Sequence, residues 1–225
     1  DLQEPLRKIS TFTERLNTKF DSILGQEGSM FLKRILSATA SMQTLLEDLL
    51  SFSRLSFDEK KFEKVSVNSC IESVIADLEV KIEETKTVIS CDRFPEIEAY
   101  PSQIKQLFNN LIGNAIKFRK PGAACTINIA SHKVEQQDFM DLPLTKGVNY
   151  VKITVTDNGI GFDQEFSEKI FMIFQRLNGK AEYAGSGVGL AICKKIVDNH
   201  HGFIFANSKP DHGASFTILL PKIQS

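Results

Sequence analysis

The stretch Asp157-Asn158-Gly159-Ile160-Gly161-Phe162 directly follows residues 150–156, an alternating run rich in β-branched side chains. That run predicts a strand that enters a core. An aspartate at the end of such a strand is poorly placed for packing and well placed to receive a ligand. Gly159 and Gly161 allow positive φ angles and close approach of the backbone. Because Asp-Asn-Gly is also a common turn sequence, the hexapeptide alone fits an Asx-type turn equally well.

A segment upstream of this stretch, residues 106–118, predicts a helix with an unusual polar face. Asn110, Asn114 and Lys117 are spaced i, i+4, i+7 and therefore share that face. Asparagine is a mediocre helix former, so two of them on one face need a reason. Amide oxygens suit Mg²⁺, which binds phosphates, and Lys117 would place a positive charge on them. The alternative is a merely solvated helix face.

A second glycine cluster lies downstream, at Gly185-Ser186-Gly187-Val188-Gly189-Leu190, and leads into a predicted helix. Glycines just before a helix leave its first N–H groups free to bind an anion. The cluster alone is a weak signal, but the asparagine helix, Asp-x-Gly-x-Gly and Gly-x-Gly-x-Gly in this order are far more specific. A Walker loop is excluded because the sequence has no GxxxxGK[ST] motif. A Rossmann fold is excluded because no such cluster follows the first strand of a βαβ unit.

The length and composition of the chain limit the classes of protein to which it can belong. The 225 residues are enough for one large domain or two modest ones, and 42% of them are hydrophobic, as in ordinary globular proteins. A net charge of −1 gives no field that would recruit nucleic acid or an anionic membrane. No apolar run approaches the roughly 18 residues of a membrane span, and we expect no signal peptide. The scattered cysteines favour a reducing, cytoplasmic setting over disulfides or zinc.

The first 56 residues predict two helices joined by a loop at Gly25–Ser29. Both apolar stripes are wider than one partner helix can cover, which predicts dimerisation into a four-helix bundle. The alternative is a helical hairpin docked on its own C-terminal domain. The two seams comprise Leu2, Leu6, Ile9, Leu16, Phe20 and Ile23 with Thr13 in the missing place, and Phe31, Ile35, Ala38, Met42, Leu45, Leu49 and Phe52.

The rest of the chain predicts an α+β layer sandwich, so we divide the chain into residues 1–57 and 58–225. Asn68 is expected to cap a helix that runs to about Thr85. A short helix is expected over residues 166–174. The remaining predicted elements are strands at 62–67, 88–91, 97–100, 126–134 and 150–156, helices at 103–119 and 188–200, and a hairpin of 202–207 with 214–220.

At this point the chain resembles the catalytic core of a bacterial two-component sensor histidine kinase, which joins a dimerisation and phosphotransfer hairpin to an ATP-binding domain of the Bergerat type. The resemblance covers nearly the whole chain. The matching motifs are an N box at 110–118, glycine boxes at 157–161 and 185–190, an F box at 171–176 and an H box at 1–6.

The resemblance implies a role for each matching residue. Asn114, supported by Asn110, would ligate the Mg²⁺ that bridges the ATP phosphates, and Lys117 would contact those phosphates. Asp157 would accept a hydrogen bond from the adenine amino group. Phe118 would pack near the adenine, and Gly159 and Gly161 would let the backbone approach the nucleotide. A lid over the triphosphate would have residues 178–186 as its mobile part. Its implied residues are the hinge glycines Gly185, Gly187 and Gly189 with Leu190 beside them, and Phe171 and Phe174 as packing anchors.

The implied reaction transfers the γ-phosphoryl group of ATP to a histidine immediately before Asp1, with Asp1 orienting the imidazole. The implied partners are a second copy of the chain, a response-regulator receiver domain and a sensor domain upstream in the same protein.

The four histidines present lie away from the H box and are expected to be ordinary surface or structural residues. They are His132, His200, His201 and His212. Glu4 stands where many relatives carry a Thr or Asn that positions water to dephosphorylate the regulator, so the resemblance does not imply a phosphatase activity.

Two other functions fit the sequence. A non-catalytic module would bind ATP and signal through its helices without transferring phosphate. A Bergerat ATPase resembling type II topoisomerases, MutL or the heat-shock chaperone would need a glutamate about four residues before Asn114, where this chain has Asn110. We therefore favour the kinase over the hydrolase.

Overall fold

The computed structural model describes residues 3–55, 61–135, 144–145, 147–177 and 185–224, and it shows a helical amino-terminal region followed by an α/β sandwich. Asp1 and the expected division at residues 57 and 58 lie outside the described residues. The elements are α1 Gln3–Arg54, β1 Glu63–Val65, α2 Val67–Asp77, α3 Glu79–Thr85, β2 Val88–Cys91, β3 Ile97–Ala99, α4 Pro101–Lys117, β4 Thr126–His132, β5 Tyr150–Asp157, α5 Gly189–Asn199, β6 Phe203–Ser208 and β7 Ala214–Pro221.

Helix α1 is a hairpin of two arms, residues 3–24 and 26–54. The chain reverses at Gly25, whose φ of 62° and ψ of −173° are accessible chiefly to glycine. The arms run antiparallel, because Gln3 near one end lines the same cavity as Glu47 and Ser51 near the other. The predicted loop at Gly25–Ser29 is thus too long, since the chain is helical again directly after Gly25.

A five-stranded mixed sheet forms the centre of the second region, in the order β2-β4-β5-β7-β6. Strands β2 and β4 are parallel and the other neighbours are antiparallel, while β1 and β3 form a separate two-stranded ribbon. Alternate residues of β4 and β5 are buried, as the period of a strand covered on one face requires. The core contains the apolar faces of α2, α4 and α5, which confirms the expected sandwich.

The predicted helix from Asn68 to Thr85 is two helices with a different cap. Ser66 is the N-cap residue, and its hydroxyl accepts a hydrogen bond from Ser69 N at 3.3 Å. Asn68 instead joins α2 to the segment after β2, donating to Asp92 O at 2.7 Å and accepting from Phe94 N at 2.9 Å. Serine and asparagine are equally good caps, so their order in the sequence did not distinguish them.

The helix expected over residues 166–174 is replaced by two 3₁₀ turns, Gln164–Phe166 and Lys169–Phe171. The chain then becomes extended at Met172, and Phe174 takes a left-handed φ of 64°. Apolar residues in this segment suggested a helical period, but only Ile170 among them is buried. None of the helices in the described ranges is long and apolar enough to cross a membrane.

His200 is one of the histidines expected to be structural, and it is fully buried at the end of α5. Its Nδ1 lies 2.7 Å from Ile196 O, and its Nε2 accepts a hydrogen bond from Tyr100 N at 3.0 Å. Phe62 stacks on Tyr100 with ring centroids 4.3 Å apart. The two hydrogen bonds require a neutral ring with its proton on Nδ1, because a protonated Nε2 would face the Tyr100 N–H donor.

Acid should therefore destabilise the chain through His200. Burial lowers the pKa of His200 below its usual value, so between the folded and unfolded pKa values only the unfolded chain binds the proton. The contribution is fully present above the unfolded pKa of about 6.5 and is lost as the pH falls from there toward the folded pKa. In denaturant unfolding from pH 7.5 to 5, the free energy of unfolding should fall more steeply with falling pH in the parent than in His200→Gln. His212→Gln, at an exposed histidine of the β6–β7 turn, should keep the parental slope. Equal slopes in all three chains would contradict this role.

Candidate functional site

The Asp157 carboxyl at the end of β5 has two unequal oxygens. Oδ1 accepts hydrogen bonds from Gly159 N at 2.8 Å and from Ala214 N at 3.3 Å. Oδ2 has no hydrogen-bond partner among the described residues. Burial raises the pKa of the Asp157 carboxyl, and the two N–H groups oppose that rise. One oxygen is therefore held by the backbone and the other is available to a donor on a ligand.

The loop after Asp157 is held between the end of α4 and the β6–β7 turn. Ile160 N donates to Phe118 O at 2.9 Å, and Asp211 N donates to Ile160 O at 2.7 Å. A Cβ at Gly159 would lie 2.5 Å from Phe118 O, and one at Gly161, where φ is 64°, would collide with the turn. Both positions of the predicted motif therefore need glycine for close backbone approach.

The two asparagines predicted to face a metal have different surroundings. Asn110 Nδ2 donates to Gly189 O at 3.2 Å, which ties α4 to the first residue of α5. The Asn114 side chain is partly exposed and makes no hydrogen bond to a described residue. Asn114 is thus the amide that remains open to a ligand, whereas Asn110 holds the glycine cluster.

Two cationic side chains approach Gly185. A Cβ on Gly185 would lie 2.5 Å from Lys117 Nζ, and Arg176 Nη1 donates to Gly185 O at 2.8 Å. Burial lowers the pKa of Lys117, and the charge of Arg176 lowers it further. Lys117 Nζ also lies 4.4 Å from the centre of the Phe118 ring. Two positive charges at one glycine-rich loop suit the binding of a multiply charged anion.

The remaining predicted residues lie around the same loop. Gly187 has a φ of 76°, and a Cβ there would lie 3.0 Å from Arg176 Cγ. Leu190 is partly buried against the core. Phe171 packs against the core, whereas Phe174 is 54% exposed. Residues 178–184 of the predicted lid lie outside the described residues.

The sequence analysis did not identify the contribution of the β6–β7 turn. Lys120 Nζ donates to Asp211 O at 2.5 Å, and Ser208 Oγ donates to Gly213 O at 2.7 Å. Gly213 lies against the Asp157 backbone so closely that a Cβ would overlap it. The only available signal was Gly213 itself, which was assigned to a hairpin turn.

A divalent ion at this site would depend on a ligand for part of its coordination. The described residues contain no group of three or more His, Cys, Asp or Glu side chains that could hold a metal ion. Asn114 offers one amide oxygen beside two cations, which fits Mg²⁺ bound mainly by water and by phosphate oxygens. The residues present therefore fit a metal that arrives with a phosphorylated ligand.

Comparison with known proteins agrees with this geometry. Residues 99–224 match the model of the histidine kinase-, DNA gyrase B- and HSP90-like ATPases. Cyanobacterial phytochrome A of Nostoc sp. is 36% identical over 221 residues, which are 98% of this chain and 27% of that protein. The chain thus spans about a quarter of this relative.

Two solved structures share the fold of the whole chain. Full-length ShkA in complex with AMPPNP has a TM-score of 0.69 at 20% identity, covering 100% of this chain and 44% of that one. Histidine kinase ThkA in complex with the response regulator protein TrrA has a TM-score of 0.62 at 22% identity, covering 98% of this chain and 60% of that one.

We predict that Asp157→Asn selectively weakens adenine nucleotide binding. Asparagine can keep the Oδ1 contacts to Gly159 and Ala214, but it replaces Oδ2 with an N–H₂ donor that would face the donor of an adenine amino group. Loss of a charged hydrogen bond should raise the Kd roughly tenfold to a hundredfold. Calorimetric titration with ATP and GTP measures the effect, and the variant should discriminate less against GTP. The exposed Asp163→Asn is the matched control; unchanged ATP affinity in Asp157→Asn would show that this site is misassigned.

Proposed function

This chain belongs to the family of histidine kinase-, DNA gyrase B- and HSP90-like ATPases and has the ATP-binding core of a sensor histidine kinase, and we propose that it transfers the γ-phosphoryl group of ATP to a histidine. The acceptor would stand immediately before Asp1. We also infer two working units, a hairpin of residues 1–57 and an ATP-binding unit of residues 58–225.

One observation favours phosphoryl transfer over hydrolysis of ATP. Helix α4 presents amides and a lysine to the site, and its sequence contains no acidic residue. Asn110, where hydrolytic relatives would have a glutamate, donates to Gly189 O and cannot act as a base for water. Phosphoryl transfer needs mainly positioning and charge stabilisation, which the residues of this site can supply.

Different residues of the site would bind different parts of ATP. Asp157 Oδ2 would accept from the adenine amino group, and Lys117 and Arg176 would lie on the phosphates. Asn114 would hold a Mg²⁺ ion, which when bound neutralises phosphate charge. Gly185, Gly187 and Gly189 would let the lid close over the phosphates and exclude water. Asp1 would orient the acceptor imidazole through its other ring nitrogen.

The partners follow from the same function. We infer that the phosphoryl group passes to an aspartate of a response-regulator receiver domain, a proposal supported by the complex of ThkA with TrrA. A sensor domain upstream in the same protein is consistent with the quarter of the phytochrome that this chain spans. We place the reaction in the cytoplasm. The second candidate is a non-catalytic module, in which the same residues would bind ATP and the helices would signal without transfer of phosphate.

A homodimer is proposed from the outer surface of α1. Both predicted seams remain largely open to solvent in the single chain, and Ile23 is 78% exposed. An apolar surface of this extent is typical of an interface. A second hairpin would cover it and complete a four-helix bundle. The exposed apolar residues of α1 are Ile9, Phe12, Leu16, Phe20, Ile23, Met30, Phe31, Ile35, Met42, Leu49 and Leu50.

We predict that the double substitution Leu16→Lys and Ile35→Lys makes the chain monomeric. These residues are 46% and 44% exposed, so charges there cost little in one chain but would be buried in a dimer. Light scattering after size exclusion should show half the parental mass, with an unchanged Kd for ATP. Thr18→Lys with Thr44→Lys, at exposed polar positions, should keep the parental mass. A parent that is itself monomeric at micromolar concentration would contradict the dimer.

We predict that phosphohistidine formation requires Asn114. The chain would be extended by a helical segment with a histidine immediately before Asp1, and incubated with Mg²⁺ and γ-labelled ATP. An acid-labile, base-stable label should form in the parent and fall at least a hundredfold in Asn114→Ala, which loses the metal-binding amide. Asn109→Ala, at an exposed position of the same helix, should label like the parent.

The outcomes separate the two candidate functions. Nucleotide binding without any label in the extended parent would overturn the kinase proposal and favour the non-catalytic module. A label that persists in Asn114→Ala would leave the kinase in place but contradict the assigned metal ligand.

A further inference from the structure

The second arm of α1 ends against the ATP-binding unit. Leu55 is buried in the core of that unit, and Phe52 packs against the same core. These apolar contacts attach the end of the arm and are not directional, so they constrain the angle between the two units only weakly. Polar contacts, whose geometry is directional, are better suited to do so.

Two hydrogen bonds join the units beside this apolar attachment. Gln106 Nε2 on α4 donates to Ser51 Oγ at 2.7 Å. Asn199 Nδ2, at the last residue of α5, lies 2.9 Å from Leu55 O and 3.3 Å from Gln103 Oε1. The Gln106–Ser51 pair is a hydrogen bond between two side chains and is partly buried, so its donor and acceptor exchange less freely with water than surface groups do.

The residues that make these contacts belong to the helices that build the phosphate site. Gln106 precedes Asn110 by one helical turn on the same face, and Asn110 in turn holds Gly189. Helix α5 begins at Gly189 and ends at Asn199. The hairpin is therefore joined to both helices at positions other than those that face the nucleotide.

The amino end of the hairpin lies at the same place. A cavity of about 310 Å³ is lined by Gln3 on the first arm, by Glu47 and Ser51 on the second and by Ser102 and Gln106 on α4. Gln3 is the third residue after the proposed acceptor position. The Gln106 contact thus lies beside the part of the hairpin that would bear the acceptor.

We propose that Gln106 is a positioning residue, whose hydrogen bond to Ser51 sets the docking of the ATP-binding unit on the hairpin and so brings the acceptor toward bound ATP. The docking is read from this structure, whereas its effect on transfer rests on the function proposed above. Gln106 touches neither the nucleotide nor the acceptor. Its loss should leave ATP affinity unchanged and lower the rate of transfer, because a loosely docked unit spends less time in reach of the acceptor.

The docking experiment uses spin labels on this chain. Ser41→Cys on the second arm and Asn207→Cys on β6 provide exposed label sites, in a background where the accessible Cys70 and Cys91 are serine. Dilution with unlabelled chain restricts the measurement to distances within one chain. The parent should give one narrow distance distribution, and Gln106→Ala and Ser51→Ala should each broaden it. Ser53→Ala, exposed on the same arm, is the matched control and should leave it narrow.

A double-substitution cycle separates this contact from general destabilisation. If Gln106 and Ser51 act through one hydrogen bond, the variant with both alanines should have a distance distribution no broader than that of either single variant. Additive broadening, or narrow distributions in both single variants, would overturn the proposal. Unchanged thermal unfolding confirms that the variants are folded.

The transfer experiment uses the extended, histidine-bearing chain. Loss of one hydrogen bond should lower the maximal labelling rate by on the order of threefold to tenfold, with the KM for ATP unchanged. A rate that is equal to or higher than the parent's would overturn the positioning role. If the extended parent forms no label, the proposed function fails, while the spin-label distances still test whether Gln106 sets the docking.

Discussion

The proposed nucleotide site depends on the two backbone N–H groups that hold Asp157 Oδ1. They come from the loop that follows β5 and from the first residue of β7, so the carboxyl is fixed at the junction of two neighbouring strands. Removing a carboxylate from water is unfavourable, and burial raises the pKa of Asp157 for that reason. Oriented N–H groups compensate part of that cost and leave Oδ2 in a defined direction.

This arrangement constrains much of the surrounding chain. Gly213 must lack a side chain because it lies against the Asp157 backbone, and Gly159 must lack one because it lies against Phe118 O. The end of α4, the end of β5 and the β6–β7 turn therefore meet through backbone contacts that admit no Cβ. Lys120 adds a contact from beyond the end of α4 to the same turn. A site assembled from backbone contacts on regular elements varies little in position, as the proposed recognition of adenine requires.

The sequence was informative where a pattern has one physical explanation. Strand β5 alternates buried and less buried residues over positions 150–156, and the order of strands and helices was enough to predict the sandwich. It was less informative where equivalent residues compete, as with Ser66 and Asn68 at the start of α2, and where apolar spacing fits two structures, as in residues 166–174. Contacts between segments distant in sequence, such as Gln106 with Ser51 or Gly213 with Asp157, leave no local pattern. Asn110 and Asn114 form one pattern in the sequence, but only the packing of α5 distinguishes them.

That distinction explains how one helix face serves several purposes. Gln106, Asn110, Asn114 and Lys117 lie along α4 and span about 16 Å at 1.5 Å per residue. Gln106 contacts the hairpin and Asn110 holds Gly189. Asn114 is open to a ligand, and Lys117 lies beside Gly185. Because eight residues of α4 are buried in the core, the helix moves as a rigid element. The docking contact at Gln106 and the ligand-facing positions therefore keep a fixed spacing along α4, so a change of docking moves the proposed nucleotide site as a whole and leaves its internal geometry intact.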